Sequence, residues 1–106
     1  MNYGAAKYIE GDRVIEGDLI LDETRLYIST DNISSSTYIP LDKVILLRKK
    51  INGLEIQAKL SAINSLFVRI IISNNSKKRL IKDIVNKQKL KKKFFKSEWV
   101  GQASWR

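Results

Sequence analysis

The sequence predicts a mainly β domain of about seven antiparallel strands, forming a bent sheet or open barrel capped by one C-terminal helix. Three observations lead there. From residue 5 to residue 73, short β-branched and apolar runs alternate with Gly, Asn, Asp or Ser turn signals. No stretch of that region holds a helical period. After Ser76 the pattern changes to one apolar stripe at helical spacing, the cover that a sheet with one dry face requires. At 106 residues and 43% hydrophobic content the chain fills one core and not two.

Candidate strands cover residues 5–9, 14–21, 25–29, 37–41, 44–50, 54–60 and 66–73. Gly11-Asp12, residues 22–24, residues 31–36 and Asn52-Gly53 connect them. Asn-Gly is the strongest hairpin signal of the four, because both turn residues are expected to take positive φ. Connections this short make an antiparallel meander. In residues 14–21, Ile15, Leu19 and Leu21 alternate with Glu16, Asp18 and Ile20, the pattern of a strand with one wet face. The runs 44–47 and 70–72 are continuously apolar and read as central. Pro40 cannot donate to a ladder, which puts residues 37–41 on an edge or at a bend.

The helix begins with Ser76 as its N-cap, and Leu80, Ile81, Ile84 and Val85 form its core stripe. Carried on at ~100° per residue, the same stripe receives Gln88, Lys91 and Lys92, so the core-facing surface stops near Gln88. The chain therefore divides into a domain over residues 1–88 and a basic, aromatic extension over residues 89–106.

Cysteine and histidine are both absent. That removes disulfides, thiolate and imidazole metal sites, the Cys nucleophile and the usual proton-transfer side chain. The expectation is a binding protein and not an enzyme, with no cofactor and no metal. Asp18, Asp22, Glu23 and Asp31 lack EF-hand spacing and fall at hairpin ends, where Asp stabilises turns. Arg25 and Tyr27 read as a half-exposed strand pair. Residues 1–6 do not start a signal peptide. The longest apolar run, residues 66–72, is interrupted by Arg69 and falls far short of the ~20 residues that span a bilayer. A cytoplasmic chain is expected, with a peripheral position at the inner membrane face as the alternative.

The run Gly17-Asp18-Leu19-Ile20-Leu21-Asp22-Glu23-Thr24-Arg25-Leu26-Tyr27-Ile28, followed after a polar loop by Tyr38-Ile39-Pro40-Leu41-Asp42-Lys43-Val44, resembles the pleckstrin-homology-like superfold. It is most similar to GRAM and bacterial PH-type domains, over roughly residues 9–85. The resemblance implies the seven-strand, one-helix architecture and a binding role toward acidic lipids, peptides or proteins, with no catalytic site. The first hairpin departs from the lipid-binding members. It holds Glu10, Asp12, Glu16, Asp18, Asp22 and Glu23 where they carry a basic signature. The Arg-Leu and Ile-Pro stretches are also loosely similar to archaeal taxis adaptors of the CheF type, which implies a signalling adaptor.

Charge divides the chain unevenly. Up to Leu47, Lys7, Arg13, Arg25 and Lys43 face eight acids, a net of −4; from Arg48 onward, 16 basic residues face Glu55, Asp83 and Glu98, a net of +13. Lys77 to Lys96 holds ten Lys/Arg and one acid. A solvated helix face accounts for the lysines alone. It does not account for Leu90, Phe94, Phe95 and Trp99, which a purely solvating segment would not need. The predicted binding residues are therefore Lys89, Leu90, Lys91, Lys92, Lys93, Phe94, Phe95, Lys96 and Trp99. A protein partner or a homo-oligomer ranks first as their target. An anionic membrane met through a basic amphipathic helix ranks second. Nucleic acid, met non-specifically through phosphates, ranks last, because no helix-turn-helix or RNP pattern is present.

Overall fold

The first two turns of the first meander are each set by a local signal. In the computed structural model, which describes residues 1–30, 37–93 and 97–101, strands β1 (Asn2–Glu10) and β2 (Arg13–Leu21) are joined at Gly11-Asp12. Gly11 has φ +60°, the positive first position of a type II′ hairpin turn. Between β2 and β3 (Arg25–Ser29), the Asp22 carboxylate accepts from the amides of Thr24 and Arg25, each at 2.9 Å. Strand β4 (Tyr38–Pro40) pairs with β3 alone among the described residues, so Pro40 lies on a sheet edge as its missing N–H requires.

A 3-10 turn, Leu41–Lys43, leads into the second meander: β5 (Val44–Lys50), β6 (Gly53–Lys59) and β7 (Ser65–Ile72). Strand β7 returns beside β1 and joins the two meanders edge to edge. Two further short strands, β8 (Lys91–Lys92) and β9 (Glu98–Val100), complete one antiparallel sheet in the order β4-β3-β2-β1-β7-β6-β5-β9-β8. All seven expected strands are present, with bounds shifted by up to three residues, and the sheet is larger than expected by the final hairpin.

Two bulges decide which side chains enter the core. Tyr3 and Ala6 are both buried despite opposite parity, because Gly4, at φ +89°, sits where the β1–β2 register slips. Val44 and Leu47 are likewise both buried across a slip between β5 and β6. The turn between β5 and β6 corrects the Asn-Gly reading. Lys50 faces Gly53, so the turn residues are Ile51 and Asn52, and neither has positive φ. Gly53 is required for another reason: a Cβ there would lie 1.8 Å from the Ile70 carbonyl oxygen of β7.

Helix α1 (Asn74–Gln88) starts three residues earlier than expected, with Ser73 as N-cap accepting from the Ser76 amide. Leu80, Ile81 and Ile84 are buried and Val85 packs beside them, against β1, β6 and the 3-10 turn. The expected continuation of the helix past Gln88 does not occur. Lys89 takes a left-handed conformation, φ 51° and ψ 44°, and the Leu90 amide donates to the Val85 carbonyl at 3.1 Å. This Schellman-type stop turns the chain back toward the sheet.

Candidate functional site

The six described residues among the nine predicted for binding do not form one helical face. Lys89 ends the helix and is exposed; Lys91 and Lys92 make up β8, and Lys93 follows, all three exposed. Leu90 belongs to the core at 7% exposure, and Trp99 packs against the core from β9. The domain itself therefore covers Leu90 and partly covers Trp99. Phe94, Phe95 and Lys96 lie outside the described residues. Residues 89–101 are thus no appendage in their described part, because β9 pairs with β5 through Leu46–Val100, Leu47–Trp99 and Arg48–Glu98.

Ion pairs fix the hairpin in place. The Arg48 guanidinium lies 2.8 Å from Glu98 and 3.3 Å from Glu55. Glu98 also meets Lys93 at 3.9 Å, and Glu55 meets Lys50 at 3.6 Å and Arg69 at 3.9 Å. Both carboxylates are largely covered, so their pairing is screened less than a surface pair. The third acid of the basic half, Asp83, accepts from the Tyr3 hydroxyl at 2.5 Å and thereby anchors α1 to β1. Burial, followed by this bond, pushes the Tyr3 phenol well above its usual pKa.

All three acids of the +13 half are therefore engaged with particular partners. Lys78, Lys82 and Lys87 on α1 continue through Lys89 into Lys91, all of them exposed and without an ion pair among the described residues. Lys92 lies 5.9 Å over the Trp99 ring. Strand β8 is the last strand of the sheet among the described residues, so no described strand lies beyond the outer edge of Lys91 and Lys92.

The residues read as structural have structural contacts. Arg25 stacks 4.5 Å above the Tyr27 ring and 5.6 Å from that of Tyr38, and its guanidinium lies 3.0 Å from Asp22. The Thr24 amide first, and then the Arg25 side chain, lower the Asp22 pKa to about 2. Asp31 lies outside the described residues. Among the described residues, no group of three or more acidic side chains is placed to hold a metal ion. Nor is any described helix long and apolar enough to cross a membrane.

Among the surfaces that sequence reasoning passed over is the β5–β6 turn. Ile51 stands there 95% exposed beside Lys49 and Lys50. Its signal was an isoleucine immediately before Asn-Gly, in a place where turns favour polar residues. Compared with protein-family models, with curated proteins and with solved structures, the chain finds no match in any of the three.

Proposed function

We propose that this chain is a non-catalytic interaction domain of the pleckstrin-homology or GRAM-like kind, which docks a protein partner through its C-terminal hairpin. Two meanders joined through β1 and β7, with a helix after the last strand of the second, support the PH-like part of the reading. The observation that carries the binding role is the β8 edge, where Lys91 and Lys92 flank backbone groups with no strand beyond them among the described residues. An open edge pairs with an extended peptide backbone, and the lysines admit an acidic segment while discouraging neutral strands.

The other targets fit this surface less well. A second copy meeting it in the same way would set lysine against lysine. A bilayer would need an apolar helix face, yet Leu80, Ile81 and Ile84 point into the core. Nucleic acid would meet the charges but gain nothing from the strand edge.

The test uses the full chain and a fluorescein-labelled peptide of alternating Glu and Val, followed by anisotropy. Binding should weaken as salt rises and fall at least tenfold on Lys91→Glu with Lys92→Glu. Equal binding by both proteins would sink the proposal, as would duplex DNA binding as tightly as the peptide. Light scattering that finds a dimer abolished by the same pair of changes would transfer the surface to a second copy.

A further inference from the structure

Strands β7, β6, β5 and β9 are consecutive in the sheet, and their pairing arranges the outward side chains in two rows. Leu47, Ile56 and Val68 are buried on the inner face, so their neighbours along each strand point outward. Register sets Arg69 beside Glu55, Glu55 beside Arg48, and Arg48 beside Glu98. Two residues along the strands, it sets Phe67 beside Gln57, Gln57 beside Leu46, and Leu46 beside Val100. The first row alternates in charge, and the second is mainly apolar.

Both rows suit this face to burial against another surface. The charges of the first cancel, since two guanidinium groups and two carboxylates are linked in series at 3.9, 3.3 and 2.8 Å. The chain from Arg48 onward carries a net +13 with only three acids, and two of those acids stand on this face. Two copies can therefore approach here without the repulsion that they would meet across the lysines of α1. The second row leaves Phe67 47% exposed and Val100 40% exposed, with Leu46 half-buried beside Val100.

We propose that this face is the contact between two copies of the chain, related by a twofold axis that runs along the strands between β6 and β5. Such an axis lays β7 over β9 of the second copy and β6 over its β5. A row that reads plus, minus, plus, minus becomes its own complement when reversed. Arg69 then faces Glu98 of the second copy, Glu55 faces Arg48 of the second copy, and each contact occurs twice. By the same operation Phe67 meets Val100 of the second copy. An axis along the rows would instead set each charge against its own like, so the charge order selects the first arrangement. The two sheets stack in the aligned manner, about 10 Å apart. Four strands of about six residues cover roughly 20 Å by 20 Å. A contact of that size buries about 800 Å² in total, which makes the dimer a transient one.

The chain has no cysteine, which opens it to disulfide trapping. Phe67→Cys with Val100→Cys should yield a covalent dimer when the full chain is oxidised with diamide. Within one chain the two positions are three strand spacings apart, about 14 Å, beyond the reach of a disulfide. The twofold axis separates each position from its own counterpart by the same distance, so either cysteine alone should trap at least tenfold less. Adding Arg69→Glu to the pair should cut the yield about tenfold, because the reversal sets carboxylate against carboxylate twice in one dimer. Lys82→Glu reverses one charge on α1 and should leave the yield unchanged. All four positions are exposed, and an unchanged melting curve for each reduced variant verifies that folding is intact. A single cysteine that traps as well as the pair would overturn the proposal, as would a yield indifferent to Arg69→Glu. The absence of a covalent dimer at millimolar protein would overturn it too.

Discussion

Replacing Leu90 with alanine distinguishes a hairpin that completes the fold from a tail that hangs from it. The side chain is 7% exposed, and it lies in the same cluster as Val44, Leu47 and Ile84. Buried Leu→Ala changes cost about 2–5 kcal/mol, and a residue at the margin of the core, free to relax toward Gly101, belongs in the lower part of that range. The expected loss is about 2–3 kcal/mol against a total of roughly 5–15 kcal/mol for a domain of this size. At about 4–8 °C per kcal/mol, Tm should fall by roughly 10–20 °C. Thermal unfolding followed by circular dichroism, paired with urea titration, measures both quantities. Lys91→Ala is the internal control, because this exposed neighbour should stay within about 0.5 kcal/mol of the parent. A Leu90→Ala protein as stable as the control would refute the reasoning, since residues 89–101 would then lie outside the cooperative unit.

Two further outcomes follow from named contacts. Asp22 is depressed to about 2 in the folded state, so its stabilising contribution is full above the unfolded carboxylate pKa of about 3.9 and is lost as pH falls through about 2. The stability difference between parent and Asp22→Asn, from urea unfolding at a series of pH values, should hold steady from pH 7 to about pH 5 and shrink toward pH 2; a difference that grows on acidification would contradict the sign. Gly53→Ala should cost about 3 kcal/mol or more by the same assay, because the new methyl would meet the Ile70 backbone at 1.8 Å and no side chain can move aside; a near-neutral result would show that the β6–β7 approach is looser than described.

Strand order in the first meander was legible because its first two connections and its edge strand rest on chemistry within a few residues: Gly11 for its positive φ, Asp22 for its bonds to Thr24 and Arg25, Pro40 for its missing donor. The helix stripe was legible for the same kind of reason. What the chain hides is set by distant partners. The slips at Gly4 and near Leu46 invert the inward phase, and periodicity read along one strand cannot reveal a register fixed by its neighbour. Gly53 looks like a turn glycine until β7 is beside it. The helix stops at a lysine in a conformation that glycine usually supplies, so the stop has no local signature. Strands β8 and β9 are two and three residues long, and β9 is held by its pairing to β5, from which it is about fifty residues removed in the case of Arg48 and Glu98. The packing of Trp99 was illegible for this last reason, because the strand that pairs with it lies far away in sequence.

The charge asymmetry takes on a definite form once the three acids are placed. Glu55 and Glu98 hold the hairpin to the sheet, and Asp83 holds the helix to β1, so each is bonded to a partner other than the exposed lysines of α1.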